Sequence, residues 1–224
     1  MFVASVVEFM AFTHLPLRRS ALVGAVVYAL GYALTYTVTA GRASAVAAVE
    51  IAGEYADPAP LGAVLGSGPA SWVTSGWLFY NAHLVPTSVP IADAVNGLGG
   101  LTNRSLLATL GGPLYPLYLL PPLLLVAAGY VVVLTASTPG ENGARNAGAS
   151  VVAGYFPLFL VGAFVFTVGA AEAPTAASPA GLPSVLLGLM YPLAFGGVGG
   201  LLADRRAVAS NPTGEVAEAK RDRR

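Results

Sequence analysis

Between Arg19 and Arg42 the chain runs SALVGAVVYALGYALTYTVTAG without a single charge. At about 1.5 Å of rise per residue, a helix of that length reaches across the ~30 Å hydrocarbon layer of a bilayer. Three later runs repeat the pattern: residues 113–135, 148–170 and 182–203. None of the four contains Asp, Glu, Lys or Arg. Their apolar residues are continuous rather than alternating, as membrane helices require and barrel strands do not. The first span is assigned to about residues 20–41.

Only 10% of the residues are charged and 55% are apolar, far from the ~25% charge of ordinary soluble domains. The formal net charge is zero, so no global field argues for nucleic acid as a partner. There is no cysteine, which excludes disulfides, thiolate metal sites and cysteine nucleophiles. His14 and His83 are the only histidines, too few for a histidine-rich metal site, and no metal or cofactor is expected.

Lys and Arg placement orients the spans. With the N-terminus inside, Arg18, Arg19, Arg145, Arg205, Arg206, Lys220, Arg221, Arg223 and Arg224 collect on the inner side, against Arg42 and Arg104 outside. Both termini are then cytoplasmic. Residues 1–19 read as an interfacial segment, or one lying upstream of the true start of translation. They are not a secretory signal, because Arg18 and Arg19 follow the apolar stretch instead of preceding it. Residues 204–224 read as a polar, disordered tail.

The competing topology makes residues 71–90, SWVTSGWLFYNAHLVPTSVP, a fifth span. Asn81 and His83 near its middle argue against this, because each polar group left unpaired in lipid costs several kcal/mol. Residues 42–112 are therefore expected to form an external region, with WLFYNAH in a helical cap on or dipping into the interface. The sequon Asn103-Arg104-Ser105 falls in that region.

Three groups of residues carry candidate chemistry. Trp72, Trp77 and Tyr80 could stack on a ligand, with Asn81 and His83 adding polar contacts; anchoring at the membrane interface is the preferred reading for such aromatics. Tyr28, Tyr32 and Tyr36 recur every fourth residue and so share a helix face, which packing explains better than a solute path. Gly196 and Gly200 allow close helix approach, within the bundle or to a homo-oligomer or membrane partner. Pro116, Pro121, Pro122, Pro157 and Pro192 are expected to break or kink their helices. The absence of charge within the spans weighs against proton-coupled transport. There is no nucleotide-binding loop, no ordered Ser-His-Asp set and no working carboxylate pair.

LVGAVVYALGYALTYTVTA together with the later WVTSGWLFYNAH resembles a family of haloarchaeal integral membrane proteins of unknown function, some labelled transporters. The resemblance covers residues 18 to about 203, and GWLFYNAH is its most specific element. The segment before Leu17 departs from that pattern. The resemblance implies origin and topology, and carries no catalytic or binding residue onto this chain.

The expected fold is all-α: a polytopic membrane helix bundle of four transmembrane helices, five as the alternative, with an external helical cap. The expected role is an accessory or assembly component of the cell membrane without chemistry of its own. The alternative is a small permease or permease subunit for a neutral solute, using the proline-broken helices and the Tyr28, Tyr32, Tyr36 face. An enzyme would have to be built on His83 and the outer acidic residues, and no motif supports one.

Overall fold

A computed structural model describes residues 17–52, 57–91, 100–136, 140–169 and 176–210. Four of its helical segments are long and apolar enough to cross a bilayer: Leu17–Ala47, Gly112–Leu134, Glu141–Val165 and Gly181–Ala209. The chain folds as an all-α helical bundle, and its fold class matches the expectation from sequence.

Helix α1 covers Leu17–Thr39 and continues through a 3-10 turn, Ala40–Arg42, into the short α2, Ala43–Ala47. A two-residue hairpin follows, β1 (Glu50–Ile51) against β2 (Ala59–Pro60), then α3 (Leu61–Val64) and α4 (Ser71–Ala82). Strands β3 (Thr87–Ile91) and β4 (Gly100–Arg104) lead through α5 (Leu106–Leu110) into a 3-10 stretch, Gly112–Leu119, and helix α6, Leu120–Leu134. Helices α7 (Gly140–Ala149) and α8 (Val152–Val165) form the next span, interrupted at Ser150 and Val151. Strands β5 (Val168–Gly169) and β6 (Ala176–Pro179) precede the long α9, Gly181–Ser210.

The prolines act locally. Pro116 lies inside the 3-10 stretch, whereas Pro121 and Pro122 occupy the first turn of α6. Backbone N–H groups of a first turn have no intrahelical acceptor, so two prolines there forfeit nothing and start the helix instead of kinking it. Pro157 and Pro192 do sit within α8 and α9.

Lipid tails are as apolar as leucine, so membrane helices associate through close packing and hydrogen bonds. Glycines provide the packing. A Cβ on Gly154 would collide with the Ala21 backbone, one on Gly129 with Gly196, and one on Gly199 with Val126. Gly196 and Gly200 lie against Gly148 and Ala144 of α7. The face that the sequence offers to a partner is thus occupied within the chain itself.

Hydrogen bonds add registry: Ser150 donates to Ser20 at 2.7 Å, and Arg19 to the Thr135 carbonyl at 3.2 Å. Arg206 donates to the Tyr130 hydroxyl at 3.1 Å. The start of α1, the end of α6, the start of α7 and the end of α9 therefore share one end of the bundle.

The opposite end carries a four-stranded sheet in the order β4-β3-β6-β5, antiparallel at each pairing. β3 meets β6 through Thr87↔Pro179 and Ser88↔Ser178. The Ala180 N–H donates to the Pro86 carbonyl at 2.9 Å, which ties the sheet to the first turn of α9. The external region was expected to be helical, and the sheet is a departure from that expectation.

A second departure concerns the polar tail. Residues 204–210, expected to be disordered, continue α9, which carries Asp204, Arg205 and Arg206 on to Ser210. Residues 1–16 and 211–224, the bulk of the expected interfacial segment and tail, lie outside the described residues.

Candidate functional site: a buried half-helix

Helix α4, SWVTSGWLFYNA, has twelve residues. At about 1.5 Å per residue it is roughly 18 Å long, well short of a ~30 Å crossing. The fifth-span alternative fails on length. The interfacial cap fails on burial: every side chain from Val73 to His83 is buried, with Trp77, Phe79, Tyr80 and His83 at 0% exposure.

The neighbours of α4 fix its course. Near its start, Ser75 accepts from Thr39, the last residue of α1, at 2.8 Å. One helical turn later Phe79 packs edge-on against Tyr28, which sits midway along α1. The helix therefore enters the bundle from the end where α1 terminates and stops about halfway down. Gly76 makes room for this, since a Cβ there would strike the Phe166 ring, and Gly31 of α1 does the same for Phe79.

A half-helix ending inside a bundle leaves carbonyls without partners, and an unpaired polar group there costs several kcal/mol. The last residues of the motif remove the problem. The Tyr80 carbonyl accepts from the backbone N–H of His83 at 2.9 Å and of Val85 at 3.1 Å; the Asn81 carbonyl accepts from Leu84 at 2.9 Å. The Phe79 carbonyl accepts from the imidazole of His83, whose Nδ1 lies 2.7 Å away. A carbonyl oxygen only accepts, so Nδ1 carries the hydrogen. Nε2 of the neutral ring is then an acceptor, and it receives the Tyr155 hydroxyl at 2.6 Å.

Asn81 secures the return of the chain. Its Nδ2 donates to the Val85 carbonyl at 2.8 Å and to the Thr87 hydroxyl at 3.2 Å, while its Oδ1 accepts from the Leu107 N–H at 3.1 Å. One amide thus ties α4 to the start of β3 and to α5. Leu84, between them, takes a left-handed backbone with φ 64°. The reversal needs that conformation, which a residue with a Cβ adopts at some strain.

The aromatics complete the packing. Trp77 donates to the Phe166 carbonyl at 2.7 Å, and the Tyr80 hydroxyl donates to the Phe159 carbonyl. Phe159 also faces His83, 4.9 Å between ring centroids, and Tyr191 lies on the imidazole's other side at 5.2 Å. Pairs of this kind contribute about 0.5–1.5 kcal/mol each.

The candidate residues thus divide. Trp77, Tyr80, Asn81 and His83 converge in one buried cluster. Tyr28 joins them, its hydroxyl 3.5 Å from that of Tyr80. Tyr32 reaches the edge of the cluster, donating to the Trp72 carbonyl at 3.0 Å. Trp72, 45% exposed, and Tyr36, 38% exposed, stay at the surface and alone of the set can serve as interfacial anchors. Tyr155, Phe159 and Phe166 also belong to the cluster, and nothing marked them among the apolar residues of the third span. Among the described residues no three His, Cys, Asp or Glu side chains come together in a metal-binding group.

Four candidate spans around a self-capped half-helix define the class: an integral membrane helix bundle. The chain belongs to the family described as "Family of unknown function (DUF7978)", which it matches over residues 11–207. No curated protein matches the chain, and no solved structure does.

Proposed function

We propose that this protein is an accessory or assembly component of the cell membrane, acting through its surfaces with no chemistry of its own. The observation that supports this reading is the saturation of its most reactive side chains. Asn81 engages both its donors and its acceptor, and His83 both its ring nitrogens, with partners from the same chain. These side chains hold the tip of α4 in place, as buried polar groups that find their partners within one chain do.

The charges support an orientation. Arg18, Arg19, Arg145, Arg205 and Arg206 lie at the end of the bundle away from the sheet, and Arg42 and Arg104 at the sheet end. By the bias of Lys and Arg toward the cytoplasm, the sheet faces outward and the half-helix occupies the outer half of the bilayer. The likeness carried by GWLFYNAH supports an archaeal membrane as the setting.

Native mass spectrometry of the protein, drawn from its own membranes in mild detergent, tests the role. A partner subunit at fixed stoichiometry is expected. A lone monomer overturns the reading, and if that monomer moves a neutral solute into liposomes at a rate lowered by Tyr32→Phe with Tyr36→Phe, the permease alternative replaces it.

A further inference from the structure

We infer that Asn103 is an N-glycosylation site. This inference rests on the orientation proposed above, which puts the sheet on the outer side of the membrane. The acceptor pattern, Asn followed by any residue but proline and then Ser or Thr, occurs once in the chain, at Asn103-Arg104-Ser105. Asn211-Pro212-Thr213 is disqualified by its proline.

A short pattern alone says little, and the fold adds three facts. Asn103 lies on β4, at the end of the bundle opposite Arg19 and Arg206. Its side chain is exposed, on a strand that among the described residues is paired on one side only. Its Oδ1 accepts from Ser88 at 2.7 Å, leaving Nδ2 without a partner among the described residues. Nδ2 is the atom that reacts.

In the reaction the donor is a sugar linked through its anomeric carbon to a polyprenyl phosphate carrier, and a membrane transferase is the catalyst. Nδ2 of Asn103 forms a C–N bond to the anomeric carbon. The C–O bond to phosphate breaks, the carrier departs with the electron pair, and the amide proton goes to the transferase. No oxidant or reductant is involved.

The position also gives the sugar a role. Among the described residues β4 is an outer strand of the sheet, paired with β3, and its Leu101 is 57% exposed. Such an edge invites pairing with another chain unless something blocks it. A sugar on Asn103 would cover it.

The test is the intact mass of the full chain purified from its native membranes. Wild type is expected to exceed Asn103→Gln by the mass of one glycan. Ser105→Thr, which preserves both the sequon and the hydroxyl that caps α5 at the Ala108 N–H, is expected to carry the same glycan as wild type. Masses of wild type and Asn103→Gln that differ only by the methylene separating Asn from Gln overturn the site. Labelling of Ser44→Cys by a membrane-impermeant thiol reagent, in intact cells of the same strain, separates the causes. If Ser44→Cys is labelled and no glycan mass is found, the glycosylation inference alone falls. If Ser44→Cys is labelled only in opened cells, the orientation falls and takes this inference with it.

Discussion

His83 and Tyr155 share a hydrogen bond of 2.6 Å in which the tyrosine hydroxyl donates and the imidazole Nε2 accepts. The bond joins the inner tip of the half-helix α4 to the span formed by α7 and α8, and its direction is set by the Phe79 carbonyl on the far side of the ring. Removing the donor with Tyr155→Phe leaves a buried nitrogen unpaired, a loss of about 1–3 kcal/mol. His83→Ala is expected to destabilise more, because it also opens a cavity and strips the Phe79 carbonyl. Equilibrium unfolding in mixed detergent reads both, and the two effects combined should be less than additive. Wild-type stability in Tyr155→Phe would mean that the bond does not hold the tip.

Nitrogen NMR of the imidazole checks the tautomer. The ring is expected to be neutral with its hydrogen on Nδ1. A ring protonated on both nitrogens at pH 6 would contradict the arrangement.

Asn81→Ala removes three hydrogen bonds at once and strands the Leu107 N–H and the Val85 carbonyl in the protein interior. Each stranded group costs about 1–3 kcal/mol, so this is expected to be among the most damaging single changes in the chain. Limited proteolysis should then cut between residues 84 and 106 at a rate well above wild type. Unchanged resistance would show that the return of the chain is held by other contacts.

Gly154→Ala places a Cβ on the Ala21 backbone, which cannot move aside as a side chain would. An overpacked helix contact of this kind costs about 1–3 kcal/mol. Gly41→Ala meets nothing within 4 Å and serves as the neutral comparison. Equal melting temperatures for the two variants would remove the α1 to α8 contact as a determinant of stability.

Cysteine labelling reports the position of α4. Ser44→Cys is expected to react with an impermeant reagent in intact cells, and Ala217→Cys only after the membrane is opened. Trp77→Cys is expected to react in neither state until the protein is unfolded. Its labelling in intact cells would return WLFYNAH to the surface.

The four spans were legible because uninterrupted apolar runs bounded by charged residues admit few other meanings. The half-helix was not, because the argument against burying Asn81 and His83 assumed that they would lack partners. Those partners are the Leu107 N–H, the Thr87 hydroxyl and the Tyr155 hydroxyl, and they are supplied by segments that sequence spacing does not connect to α4. One local signal was available: Phe79 and His83 stand four apart, the interval at which an imidazole can cap a helix carbonyl. The sheet was hidden for a related reason. Thr87–Ile91 and Ala176–Pro179 contain prolines and no alternation, and they become strands through pairing that spans the intervening helices. Pro121 and Pro122 could have been read as the start of a helix from their position alone.

The hydrogen bonds of α4 to the third span join residues 79 and 89 positions apart in the chain. During synthesis the half-helix therefore emerges long before Phe159 and Phe166 exist. At about 5–20 residues per second, that interval is on the order of ten seconds, during which α4 has α1 to pack on but not the third span. Its seat is therefore completed in two stages, first by Tyr28 and Thr39 and later by Phe159 and Phe166. A ribosome stalled before residue 150 would leave the second stage unmade, with Trp77 and Tyr80 lacking the carbonyls to which they donate.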